Sequence, residues 1–255
     1  MKFLEYAEGI DAINSALTFE APECKVYGRV EPYSCKAAGA DKKLYKQIEV
    51  KYDTSSSPPD DDDHAGATAS SIRSIISPFG PMDQAASRRT LFYLIGTLNA
   101  SFPDYDFSDT KPEHFRKEPS VAMVINSINA TLFNHGHESI VKDLRIWESI
   151  DSLISLDDSD VYSYNPESDS DPNDEEGAGT LWSFNYFFFN RKRKRIIYFT
   201  MKGVGHGAPP EEGQEESNDD FSDMDDEMDN NNGVGRPRRG SRYEDYVAGE
   251  MDMDY

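Results

Sequence analysis

The chain has 255 residues, 48 acids against 26 bases and a formal net charge of −22, a balance that opposes nonspecific binding to nucleic-acid phosphates. No apolar run approaches the roughly 18 residues a membrane-crossing helix needs, and no leader-like apolar stretch follows Met1, so a soluble intracellular chain with no membrane partner is expected. The acidity is uneven: residues 53–84 carry six acids and one base, residues 203–255 carry sixteen and four, and residues 1–52 are balanced at eight each.

In chain order, residues 3–17 suit a short amphipathic helix with Leu4, Ile10, Ile13 and Leu17 inward. Lys25 to Lys36 alternates as a strand, with Pro32 at a bulge or edge position. Leu44, Lys46, Ile48 and Val50 also alternate, which predicts a second strand paired with the first. Cys24 and Cys35 flank the first strand, too far apart for a disulfide, and are expected reduced.

Residues 53–84 are rich in Ser, Pro and Asp and read as a disordered insert. A buried helix follows from Ala86, with Ser87 as candidate N-cap and an almost continuous apolar run from Leu91 to Leu98. Ser120 to Phe133 and Glu138 to Leu156 predict two further helices. The second carries Ile140, Leu144, Trp147, Ile150 and Ile154 on one face.

Asp157 to Glu176 holds nine acids and no base, interrupted by the short strand signal VYSYN. The central element comes next. Leu181 to Met201 reads as a β-hairpin, with Trp182, Phe184, Tyr186 and Phe188 on one face and Leu181, Ser183, Asn185, Phe187 and Phe189 on the other. So apolar a pair of arms belongs in mid-sheet. At its turn stand five consecutive bases, Arg191 to Arg195. They read either as a docking patch or as a solvated turn that keeps an oily hairpin soluble. Residues 203–255 read as a disordered acidic tail. The expected fold is α+β, one domain built from residues 1–52 and 85–202, with about five mostly antiparallel strands and about four helices.

Motifs for catalysis are missing. There is no GxSxG, HExxH or P-loop sequence, and GVGHG at Gly203 to Gly207 leads into prolines instead of a helix. The run Glu167 to Asp174 spaces its oxygens as a calcium loop does, but Pro172 stands where such a loop needs glycine. His135 and His137 lack a third ligand and suit a helix end. No catalytic residue, metal or cofactor is expected.

Regulatory signals are clearer. Ser74 follows Arg73, Ser77 precedes Pro78, and Ser241 follows the arginines of RPRRGSR, so all three are candidate phosphorylation sites. Arg236, Arg238, Arg239 and Arg242 form a candidate nuclear-import cluster.

Six strings in order, MKFLEY with AINSALTFE, YSCKAAGADKKLYKQ, SRRTLFYLIGTLNASFPDYDFS, VYSYNPESDSDP and LWSFNYFFFNRKRKRIIYF, resemble the Maf-type repressors of RNA polymerase III. The resemblance implies a regulator that binds the polymerase near its clamp and blocks engagement with the promoter-bound initiation factor. It further implies control by kinases and phosphatases, access to import machinery, and residence in nucleus and cytoplasm. Candidate partner contacts are Asp169, Asp171, Asp174 and Glu175 in the acidic loop, and Arg191, Lys192 and Arg193 at the turn. The alternative is a nucleic-acid-binding module using Arg191 to Arg195 with the hairpin aromatics as stacking partners, which the net charge disfavours.

Overall fold

The structure, a computed structural model, describes residues 1–5, 9–36, 41–52, 76–166 and 179–207. Its strands are β1 (Lys2–Phe3), β2 (Phe19–Glu20), β3 (Cys24–Ser34), β4 (Ile76–Ser77), β5 (Gly80–Pro81), β6 (Phe115–Lys117), β7 (Asp160–Tyr164), β8 (Thr180–Asn190) and β9 (Arg195–Gly205). Its helices are α1 (Ile10–Ala16), α2 (Asp41–Tyr52), α3 (Ala85–Ser101), α4 (Val121–Asn134), α5 (Ser139–Lys142) and α6 (Ile146–Ile154).

Seven strands form one antiparallel sheet in the order β1-β3-β9-β8-β7-β6, with β2 also on β3; β4 and β5 make a separate small hairpin. The aromatic hairpin β8–β9 lies in mid-sheet, β9 matched to β3 along all eleven residues from Cys24↔Gly205 to Ser34↔Arg195. Pro32 fits inside β3 because its carbonyl accepts from Leu4 N at 2.9 Å. Its ring nitrogen therefore faces the β1 side, and no bond to β9 is lost.

Alternation along β8 sends neighbouring side chains into two cores. Phe187 and Phe189 join Tyr33, Tyr162, Tyr198 and the inward faces of α2 and α3. Phe188 joins Val26, Val30, Ile197, Phe199 and the inward faces of α1, α4 and α6. The result is a sheet packed by helices on both sides, with Cys24 and Cys35 free, buried and in different cores. Each aromatic or branched side chain withdrawn from water contributes about 1.5–3 kcal/mol.

Two local devices position the elements. Helix α4 begins with Ser120 Oγ accepting from Met123 N at 3.2 Å. It ends in a Schellman turn, where Gly136 at φ 76° sends its N–H to Phe133 O at 3.0 Å and His137 N reaches Leu132 O at 2.9 Å. At Gly203 a Cβ would lie 2.5 Å from Trp182 Cε2, so only glycine lets that indole lie across β9.

Several sequence expectations change. Residues 44–52 lie in helix α2, not a strand: Leu44, Ile48 and Tyr52 are buried while Val50 is 72 % exposed. Leu44 and Ile48 are four apart, a spacing that satisfies both a strand's period of two and a helix's near 3.6. Ser87 does not cap α3; it lies inside the helix and donates to Phe79 O at 3.1 Å. The helix expected over 138–156 is broken at Arg145, which takes φ 51° between α5 and α6. The expected first helix becomes strand β1 followed by α1. Residues 76–84, assigned to the insert by composition, belong to the fold: Met82 is fully buried, and Phe79 packs on Phe115 and Tyr162 at centroid distances of 5.8 and 5.3 Å. Strand β9 likewise runs to Gly205, past the expected start of the tail.

The helical register of α2 makes a direct prediction. Ile48→Ala should cost about 2–5 kcal/mol, whereas Val50→Ala should stay within about 0.5 kcal/mol of wild type in urea unfolding. Equal losses at both positions would restore the strand.

Candidate functional site at the basic hairpin turn

The turn joining β8 to β9 is residues 191–194, with Lys194 at φ 51°. Its position follows from the hairpin register, which closes on Asn190↔Arg195. This end of the sheet meets the C-terminus of α6, where a helix leaves carbonyls without partners and carries partial negative charge.

The turn supplies what that helix end lacks. Arg193 Nη1 donates to Ser152 O at 3.3 Å, Arg195 Nη1 to Leu153 O at 2.8 Å, and the buried Asn190 Nδ2 to Ile154 O at 2.8 Å. Asn190 also accepts from Arg193 N at 2.9 Å, which fixes the turn itself. Cationic side chains over helix carbonyls form charge-assisted bonds and favour the macrodipole.

Arg191 is anchored on the other side of the sheet. Its guanidinium donates to Thr90 Oγ1 at 2.9 Å, Tyr162 Oη at 3.1 Å and Asp160 Oδ2 at 3.3 Å, and lies 5.1 Å from the Phe189 ring centroid. Lys117 Nζ reaches Asp160 Oδ1 at 2.7 Å. Burial alone would raise the Asp160 carboxyl, but Lys117 and Arg191 outweigh it and hold it below the ordinary carboxylate value. Lys192, its side chain 78 % exposed, pairs with Asp158 at 3.1 Å, an exchangeable surface contact.

Of the turn residues singled out in the sequence, Arg191 and Arg193 are thus tied into the fold and Lys192 faces solvent. Asp169, Asp171, Asp174, Glu175, Ser74, Ser241 and the cluster Arg236, Arg238, Arg239 and Arg242 lie outside the described residues. Ser77 is 7 % exposed, its Oγ donating to Gly80 O at 2.5 Å and accepting from Phe79 N at 3.2 Å. Of the aromatics a nucleic-acid module would stack on, the three next to the turn, Phe187, Phe188 and Phe189, are buried, while Trp182, Phe184 and Tyr186 farther along β8 are half-buried against the second core.

Sequence reasoning missed Asn190, Thr90, Asp158 and Asp160 as partners of the turn. One signal was present: Asp157, Asp158 and Asp160 form an acidic run whose complement within the chain is the basic run. The histidines take structural places, His137 stacked on Phe19 at 3.6 Å and His135 on Trp182 at 5.9 Å between centroids. Among the described residues no group of three or more His, Cys, Asp or Glu side chains could hold a metal ion.

Fold and site together define an α+β protein with a helix-packed antiparallel sheet and a basic hairpin end wired to a helix terminus. A family model described as Maf1 regulator matches residues 26–200, which reach from β3 to β9, and the chain belongs to the Maf1 regulator family. It is 44 % identical over 212 residues to the repressor of RNA polymerase III transcription maf1 of Schizosaccharomyces pombe, covering 80 % of this chain and 84 % of the relative. It is 35 % identical over 242 residues to a repressor of RNA polymerase III transcription of Dictyostelium discoideum, covering 80 % and 85 %. Two crystal structures of citrus MAF1 share the fold, at TM-scores of 0.54 and 0.56 and identities of 30 % and 29 %; they cover 77 % and 78 % of this chain, and 98 % and 97 % of theirs.

Losing the Arg191 bonds should destabilise the fold. Arg191→Met is expected to lower stability by about 2 kcal/mol, or roughly 4–8 °C in melting temperature for a domain this size. Lys192→Met should be near neutral. The sign with pH follows from Asp160: its depressed value contributes stability above the ordinary carboxylate range that is lost as pH falls through the folded value. The gap between wild type and Arg191→Met should therefore narrow below about pH 4, as followed by melting curves; a gap that widened in acid would contradict the assignment.

Proposed function

We propose that this chain represses transcription by RNA polymerase III by binding the polymerase and obstructing its engagement with the promoter-bound initiation factor. The observation that carries this reading is the 44 % identity to the fission-yeast repressor, sustained over most of both chains. A sheet packed by helices on both faces is stiff enough to occupy a surface another protein needs.

In this reading the acidic loop, with Asp169, Asp171, Asp174 and Glu175, faces basic polymerase surface near the clamp. Complementary charge there raises the rate of encounter and sets orientation more than it adds affinity. Lys192 meets the partner in this reading, since it is exposed and its ion pair with Asp158 exchanges cheaply with solvent. The chain acts without catalysis, and control is by kinases and phosphatases acting on Ser74, Ser77 and Ser241. Movement between cytoplasm and nucleus uses import machinery that recognises Arg236, Arg238, Arg239 and Arg242.

Ser77 gives the switch a physical form. Phosphate on this hydroxyl would bring close to two negative charges into the tight β4–β5 turn and break its bond to Gly80. The turn opens, and Phe79 leaves its place against Phe115 and Tyr162.

The reading is tested by adding the purified chain to factor-dependent transcription of a tRNA-gene template by purified RNA polymerase III. A dose-dependent fall in transcript is expected, and an unchanged yield at saturating protein would overturn it. Ser77→Glu should raise protease cleavage within residues 76–84 and weaken repression. Full protection of that hairpin in Ser77→Glu would remove Ser77 from the switch.

A further inference from the structure

Strand β8 outruns its neighbour. It is eleven residues long, whereas β7 has five and pairs with β8 only from Tyr186 to Phe189. On the other side the ladder to β9 is regular from Asn190↔Arg195 to Trp182↔Gly203, and its register shifts only between Thr180 and Trp182. The stretch from Trp182 to Asn185 is thus a regular strand paired on one side, and among the described residues no strand pairs with its other side. Alternation decides which backbone groups this leaves open. Val161 O accepts from Glu118 N, just past β6, at 2.9 Å, so Tyr162 turns its own N–H and C=O the opposite way, to Phe187. Ser183 stands four residues before Phe187 and turns its N–H and C=O in the same direction, where no described backbone group meets them.

The surroundings of this edge depart from the chemistry of the chain. Helix α4 lies along it, with Ser127 against the Tyr186 hydroxyl and His135 stacked on Trp182 at 5.9 Å. Ala130 and Asn134 follow Ser127 at helical spacing, and both are exposed. The chain holds 48 acids and 26 bases, yet neither α4 nor β8 contains one charged residue. The two charges that bear on Tyr186, Glu118 and Arg116, pair with each other at 3.9 Å. A neutral, β-prone edge such as LWSFN is what folded chains ordinarily cover or charge. Left open, it is a template for another strand.

We propose that the edge of β8 from Trp182 to Asn185 takes up an extended, uncharged segment of a partner protein as an added strand, independently of the repressor reading. Ser183 exchanges both of its backbone bonds with one residue of that segment. The segment's alternate side chains then stand beside Trp182 and Phe184, which are half-buried on the α4 side. Charge on those side chains would find no counterpart on α4 or β8, so the chemistry selected is apolar or hydroxylated. A second copy of this chain fits less well, because each copy carries a net charge of −22 and the two repel.

The test uses the full chain and a fluorescein-labelled octapeptide alternating Thr with Val, followed by anisotropy. Ser183→Pro should keep the fold, because the lost N–H faces away from β9, and should weaken binding by at least about tenfold through the missing bond and the ring that takes its place. The same peptide N-methylated at every residue should not bind. Hydrogen exchange on the wild-type chain gives a readout that depends on no variant: the Ser183 amide should exchange early in the free chain and become protected when the unmethylated peptide is added. A Ser183 amide already protected in the free chain would show the edge to be filled and would overturn the proposal. So would equal binding of the methylated peptide, undiminished binding by Ser183→Pro, no measurable binding, or a dimer of this chain that the peptide fails to displace.

Discussion

The pairing of β8 with β9 and of β9 with β3 is the constraint on which the other elements depend. Because a strand turns successive side chains to opposite faces, Phe187 and Phe188 are neighbours in sequence yet belong to different cores. A slip of one residue in the hairpin would exchange the two sets and leave both helical layers against the wrong side chains. The ring contacts follow this register: Phe187 stacks on Tyr198 at 4.8 Å on one side, and Trp147 lies 6.3 Å from both Phe188 and Phe199 on the other. Helices α3 and α6 thus sit where the hairpin places their aromatic partners.

The same hairpin explains where the positive charge goes. Five consecutive bases on an isolated turn would be a free cationic patch, but the turn closes against the C-terminus of α6 and the acidic end of β7. Arg193 and Arg195 become caps for helix carbonyls, and Arg191 becomes a bridge between Asp160, Tyr162 and Thr90. Fold stability and surface charge are consequently coupled, since removing a base here also uncaps a helix or strands a carboxylate.

Much of this was legible from residue order. The hairpin, the two opposite faces of its first arm near the turn, strand β3, helices α3 and α4, and membership of a Maf-type family all follow from alternation, helical spacing and a few long strings. What was not legible depended on partners distant in sequence. Period four is shared by strand and helix, and only the tertiary setting, which buries Ile48 and exposes Val50, separates them. Composition placed Ser77 and Phe79 in the insert because nothing local reveals that Phe115 and Tyr162 receive that phenyl ring. The break at Arg145 carries no proline or glycine. The basic run concealed its structural task because its acceptors are backbone carbonyls of α6, which no residue type announces.

The central claim is that β8–β9, held between two cores, is the most stable unit of the chain. Native-state hydrogen exchange tests it residue by residue. The amides of Phe187, Phe188, Ile197 and Phe199 should exchange slowest and only through global unfolding, with α2 and the β4–β5 hairpin opening earlier. Exchange of those hairpin amides as fast as the amides of α2 would contradict the account.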